Sequence, residues 1–221
     1  MPLVRIESAG NSGSSREEPR FVLYVEGPRD RDILLIWARR LFPPLVRKLE
    51  ASVVILGGRQ PARARSHFRE FLAVYPSAQG MCVLDRDDGA AQANSPGAEA
   101  PLEFFTWSRR HIESYLLVRE AILRCLRRKP GDARAASLVE RLIPDARDEA
   151  SLQQIDAKRL LSAKGPLAQE LGRALDPSRI ARALRQSELH PDVVDLMNRV
   201  HSCAGLAAPP PQVVSKAFSR A

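Results

Sequence analysis

Phe21-Val22-Leu23-Tyr24-Val25 runs straight into Glu26-Gly27-Pro28-Arg29-Asp30, and this junction decides the fold. A short continuous apolar run of this kind reads as a strand buried on both faces. It stops on an acid, and Asp30 or Asp32 is then placed to cap a helix whose body is Ile33–Phe42. Pro43-Pro44 ends that helix. The same arrangement recurs twice. Ser52-Val53-Val54-Ile55-Leu56 ends on Gly57-Gly58-Arg59, and Pro61 opens a helix to about Tyr75. Met81-Cys82-Val83-Leu84 ends on Asp85-Arg86-Asp87-Asp88. A fourth strand is expected at Leu102–Thr106, after an Ala-, Gly-, Ser- and Pro-rich loop over Gly89–Pro101. Strands alternating with helices predict an α/β fold with a four-stranded, mostly parallel sheet flanked by helices.

Outside this core the pattern changes. Residues 1–20 read as a flexible lead-in with a short strand at Leu3–Ile6. His111–Arg128 reads as a helix. Weaker helical segments follow near 134–142, 149–163, 166–175, 178–188 and 191–202, punctuated by Pro130, Pro144, Pro177 and Pro191. A helical C-terminal region over 119–206 and a Pro-rich tail over 207–221 complete the division.

Composition narrows the function classes. The 221 residues carry 34 Lys+Arg against 26 Asp+Glu, a net charge of +8, which favours a polyanion such as nucleic acid as partner. Nearly all of the basic residues are Arg, and Lys occurs only at 48, 129, 158, 164 and 216. Arg binds phosphate bidentately, which Lys does not. Three widely spaced cysteines, Cys82, Cys125 and Cys203, argue against a disulfide framework and a structural zinc site. No apolar segment is long enough to span a membrane, and the N-terminus has no signal-peptide pattern, so a cytoplasmic location is expected. No phosphate-binding GxxxxGK[ST] loop is present.

Acids at strand ends stand out in so basic a chain. In open α/β sheets ligands bind outside the carboxyl ends of the strands. If the strands are parallel neighbours, Glu26, Asp85 and Asp87 converge there, beside Gly57-Gly58, where the absence of side chains lets a ligand approach the backbone. Asp85 and Asp87, two apart in an extended segment, can face one ion. Mg²⁺ or Mn²⁺ suits such hard oxygen ligands and a phosphate-bearing substrate. Two ions about 4 Å apart stabilise both the attacking and the leaving oxygen of a phosphoryl displacement. The simpler reading keeps Asp30 as a helix cap and Asp85–Gly89 as a turn.

Glu26-Gly27-Pro28-Arg29-Asp30 resembles the E-G-x-x-D opening of Toprim domains, and Asp85-Arg86-Asp87 resembles their D-x-D motif. The segment Arg109-Arg110-His111-Ile112-Glu113-Ser114-Tyr115-Leu116-Leu117 is similar to the R-x-x-I/L-E-N-Y-L-L segment of the OLD-family nucleases, with Ser114 where Asn is usual. The likeness covers about residues 21–118. It implies a two-metal nuclease in which Glu26 and Asp30 help hold one ion, Asp85 and Asp87 hold the other or bridge the two, and Glu113 adds a further acid. The family's later lysine, usually Gly-Lys before a helix, has its nearest counterpart here in Lys164, in the reversed order Lys164-Gly165. Lys164 thus joins Glu26, Asp85 and Asp87 as a catalytic candidate; a lysine that only closes a helix is the simpler alternative.

Arg59, Arg63 and Arg110 are the candidate nucleic-acid contacts. Arg65 and Arg69 share a helix face beside them, and Arg124, Arg127, Arg128 and Lys129 form a second cluster. DNA is favoured over RNA. OLD proteins join their Toprim domain to an ATPase that this sequence lacks, so the resemblance implies a separate ABC-type ATPase subunit and, by analogy only, a role in defence against phage. A homo-oligomer is left open. The alternative is a non-catalytic module that binds nucleic acid or an ATPase.

Overall fold

The computed structural model describes residues 20–86, 101–126 and 133–206. Four strands, β1 (Phe21–Val25), β2 (Val53–Ile55), β3 (Gln79–Leu84) and β4 (Leu102–Thr106), form one sheet in the order β2-β1-β3-β4. Every pairing is parallel, so all four carboxyl ends lie along one edge. The helices of this half are α1 (Pro28–Leu41), α2 (Leu45–Ser52) and α3 (Pro61–Val74). The architecture is the expected α/β fold, a four-stranded parallel sheet flanked by helices, with a helical C-terminal region.

Alternation along the strands explains the layers, because successive side chains point to opposite faces. Phe21, Leu23, Val25, Met81 and Val83 face one core, which holds α1 and the C-terminal helices. Val22, Tyr24, Cys82, Leu84 and Leu102 face a smaller core closed by Ala64 and Phe68 of α3. Both central strands are therefore apolar on two sides, which is why they read as continuous runs. Trp37 and Tyr115 are both buried.

The expected helix caps and boundaries need correction. Gly27, not Asp30 or Asp32, is the N-cap of α1, and Asp30 Oδ2 accepts a hydrogen bond from Gly27 N at 2.9 Å. Leu45–Ser52 is a helix that the apolar periodicity did not single out. It takes Ser52 from the expected strand. β2 is an edge strand rather than a buried one, and Ile55 is 39% exposed. His111–Arg128 is not one helix. Ile112–Leu116 forms a 3₁₀ turn, and α4 begins at Arg119 and runs to Leu126. The segment expected over 149–163 splits into α6 (Glu149–Gln154) and α7 (Ala157–Leu161), because Asp156 caps the second piece through Arg159 N.

The remaining helices are α5 (Ala133–Leu142), α8 (Pro166–Leu171), α9 (Pro177–Ala183) and α10 (Pro191–Cys203). Their buried residues, among them Leu167, Ile180, Leu196 and Val200, belong to the same continuous core as the α1 face of the sheet. The expected strand at Leu3–Ile6, the tail over 207–221 and most of the Gly89–Pro101 loop lie outside the described residues. Among the described residues no helix is long and apolar enough to cross a membrane.

Candidate active site

β1 has β2 on one side and β3 on the other, so the chain reverses its direction of winding between β1 and β3. A crevice outside the carboxyl ends at such a reversal is the usual ligand position in open α/β sheets. Glu26 leaves the end of β1 and Asp85 the end of β3. The two meet directly, with Asp85 N donating to Glu26 Oε1 at 2.8 Å.

Gly57 and Gly58 fix the other side of Glu26. Their amides both donate to the Glu26 carbonyl, at 3.0 and 2.9 Å. This turn needs φ of 80° and 119°, backbone angles that side-chain-bearing residues rarely adopt. These amides hold Glu26 at the strand end, and a Cβ at either glycine would meet nothing within 4 Å, so the space beside the pair is open.

Asp30 and Glu113 join Glu26 and Asp85 in the cluster. Asp30 stands on the first turn of α1. Asp85 is nearly fully buried, and its Oδ1 accepts from Ile112 N at 3.3 Å. Glu113 comes from the 3₁₀ turn after β4 and is only 2% exposed. Its Oε1 lies 3.3 Å from Arg29 Nη1, while its Oε2 is buried without a hydrogen-bond partner. Burial, with the neighbouring charges of Asp85 and Glu113, raises the Asp30 carboxyl to about 7, against the opposing pull of Lys158. Asp87 lies outside the described residues.

The basic partner of this cluster is Lys158, which the sequence did not reveal. Its Nζ sits 2.5 Å from Asp85 Oδ2. Burial pulls the Lys158 ammonium down, but the hydrogen bond and charge of Asp85 outweigh it, so its pKa is raised overall. Lys164 is exposed, and its carbonyl accepts from Gln169 Nε2 at 3.1 Å. The glycine after it has a steric reason: a Cβ on Gly165 would stand 2.1 Å from the Arg159 carbonyl oxygen. His111 borders the cluster. Burial and the Lys158 charge lower its pKa, and its Nδ1 is buried without a partner.

Of the expected nucleic-acid contacts, Arg59 donates to the Asp85 carbonyl, and Arg63 to the Leu56 carbonyl at 2.8 Å. Both stand at the strand-end edge, where they brace the backbone. Arg110 is half-buried, and its carbonyl accepts from Arg86 N at 3.0 Å. Arg65 lies over the Phe104 ring at 4.9 Å. In the second cluster Arg124 binds the Ala183 carbonyl and Glu188, a structural role, while Arg127, Arg128 and Lys129 are outside the described residues.

A second polar group supports the 3₁₀ turn from beneath. Arg109 forks onto Glu149 through Nε at 3.0 Å and Nη2 at 2.6 Å, and its Nη1 donates to the Ser114 carbonyl at 2.9 Å. Tyr115 OH donates to Asp192 Oδ2 at 2.6 Å, and Ser108 Oγ donates to the same oxygen. Glu113 is thereby held between α6 and α10.

The donor set suits a hard divalent cation: carboxylate oxygens, one of them buried and unpartnered. Among the described residues no three metal-ligating side chains already converge on one point, because Lys158 holds Asp85 and the Gly27 amide holds Asp30. Comparison with family models, with curated proteins and with solved structures returns no match.

Proposed function

We propose that this chain is a metal-dependent nuclease that hydrolyses nucleic-acid phosphodiester bonds at the carboxyl edge of its sheet, by the two-metal reaction its likeness to OLD-type Toprim nucleases implies. The observation that carries this reading is the gathering of Asp30, Asp85 and Glu113 at the winding reversal, where burial first and the two neighbouring charges second raise the Asp30 carboxyl to about 7. Asp85 and Glu113 are buried and Asp30 is half-buried beside them, a costly arrangement for acids without a cation to hold. Glu26 and Asp30 are the residues to hold one Mg²⁺ or Mn²⁺ ion, Asp85 and Asp87 the other, with Glu113 beside them. Bound there, the ions polarise the phosphate and lower the pKa of the attacking water. The Lys158 contact with Asp85 supports Lys158, beside the candidate Lys164, as the lysine that would meet charge developing on the phosphate or leaving oxygen. Arg59, Arg63 and Arg110 flank the edge and suit backbone phosphates. DNA is the proposed substrate, and a separate ABC-type ATPase subunit the proposed partner.

The alternative is a non-catalytic module binding nucleic acid or an ATPase. One observation favours it: Lys158 already neutralises Asp85. Incubating purified protein with plasmid DNA and with RNA, in Mg²⁺ or Mn²⁺, separates the two. The nuclease reading expects strand cleavage that chelator, Glu26→Ala and Asp85→Ala each abolish. Binding without cleavage by the wild-type protein, unchanged in Asp85→Ala, supports the module.

A further inference from the structure

In the Asp85-Arg86-Asp87 motif the middle residue carries no metal-ligand role, yet its side chain bonds to two other segments of the chain. Arg86 Nη1 donates to the Ser108 carbonyl at 2.6 Å, and Nη2 donates to the Gln153 carbonyl at 2.7 Å. Its backbone N donates to the Arg110 carbonyl. One half-buried guanidinium thus fastens the end of β3 to the loop after β4 and to α6.

We propose that Arg86 is the positioning residue that sets Lys158 against Asp85. Asp85 and Arg86 are adjacent in the chain, and together they grip the 153–158 segment at its two ends. Arg86 takes Gln153 through its carbonyl, and Asp85 takes Lys158 through its ammonium. The segment needs such a grip. α6 has six residues and α7 five, far below the length at which a helix holds its own shape. Between them Asp156 caps α7, and Ala157, Leu160 and Leu161 are buried against the core. Those apolar contacts keep the segment on the protein. They are non-directional and do not by themselves fix an ammonium at hydrogen-bond distance. Two charge-assisted bonds to main-chain carbonyls supply the missing direction. Both acceptors are backbone atoms, so the tie is independent of the side chains at 108 and 153. Lysine at 86 cannot span both carbonyls from one planar group.

The consequence for catalysis rests on the nuclease reading above; the tie itself does not. The test therefore has two readouts, on the full chain carrying Arg86→Ala and, should that variant fold poorly, Arg86→Lys. The first is amide hydrogen exchange. The proposal expects exchange about tenfold faster or more over 149–161 and 108–112, with α3 unchanged. No change over 149–161 overturns it, and so does uniform acceleration including α3, which marks a merely structural residue. The second readout is the kcat and KM of metal-dependent cleavage for Arg86→Ala, Lys158→Ala and the double variant. The proposal expects kcat to fall about 100-fold in Arg86→Ala with KM little changed. It expects the double variant to be no worse than Lys158→Ala alone. A double variant that loses the product of the two single effects contradicts the positioning role. If the wild-type protein cuts nothing, the nuclease reading fails, and the exchange result alone decides the tie.

Discussion

Glu113→Gln is expected to make the metal-free protein more stable while removing its response to metal. Glu113 is 2% exposed, and its Oε2 is buried without a partner. An unsatisfied buried acceptor costs about 1–3 kcal/mol, and more when charged. The compensating ion pair is with Arg29, which is 53% exposed. At that exposure a pair is worth only about 0.2–1 kcal/mol. The neutral amide keeps the shape, can donate toward the neighbouring acids, and removes one of the like charges. The net gain is about 1 kcal/mol, or a Tm rise of roughly 2–4 °C for a chain of this size. The assay is thermal and urea unfolding followed by circular dichroism at pH 8, in chelator and in Mn²⁺. With Mn²⁺ at a hundredfold excess over its Kd, the wild-type protein gains about 2.7 kcal/mol, and the variant gains much less. The order of stability therefore reverses between the two buffers. A variant that is less stable than wild type in chelator by about 1 kcal/mol or more refutes the view of Glu113 as a strained acid.

Other expectations follow from the same geometry. Arg109→Met removes a buried fork to Glu149 and orphans the Ser114 carbonyl, and should cost about 3 kcal/mol in urea unfolding, whereas Arg141→Met at the exposed Arg141–Glu170 pair should cost under about 0.5 kcal/mol. Equal losses in the two variants count against the clamp. Burial lowers the pKa of His201, which packs against the Phe42 ring, so the unfolded chain takes up its proton first as pH falls. Stability should decline on acidification below the ordinary value of 6.5, and His201→Phe should flatten that decline in urea titrations from pH 7.5 to 5.5. With Asp30 at about 7, protons compete with a cation there, so Mn²⁺ affinity should rise steeply from pH 6 to pH 8 in titration calorimetry. In Asp30→Asn that rise should shrink; an equally steep rise in the variant contradicts the assignment.

The central strands were legible because β1 and β3 are apolar on both faces, and only a covered parallel sheet accounts for such runs. The same signal misleads at β2. Val53-Val54-Ile55 is as apolar as the others, and nothing local marks it as an edge strand. Glu26 and Asp85 could be placed together from strand ends alone, whereas Glu113 entered only through the motif that resembles the OLD family. Its 3₁₀ turn reads as the start of a helix, because Ile112, Tyr115 and Leu116 have helical spacing. Lys158 was hidden for a different reason. It lies 73 residues from Asp85 in weakly periodic helical sequence, and only tertiary packing joins them. Arg86 looked like a turn residue between two acids, and its reach to Gln153 depends on where α6 docks.

The most direct test of the central claim is supercoiled plasmid DNA incubated with purified protein in Mn²⁺, wild type beside a Glu26→Gln/Asp85→Asn double variant, each with and without chelator. A catalytic centre at the winding reversal predicts nicked or linear product from the wild-type protein alone, and none once chelator is present. Equal cleavage by the double variant, or intact plasmid in every lane, contradicts it.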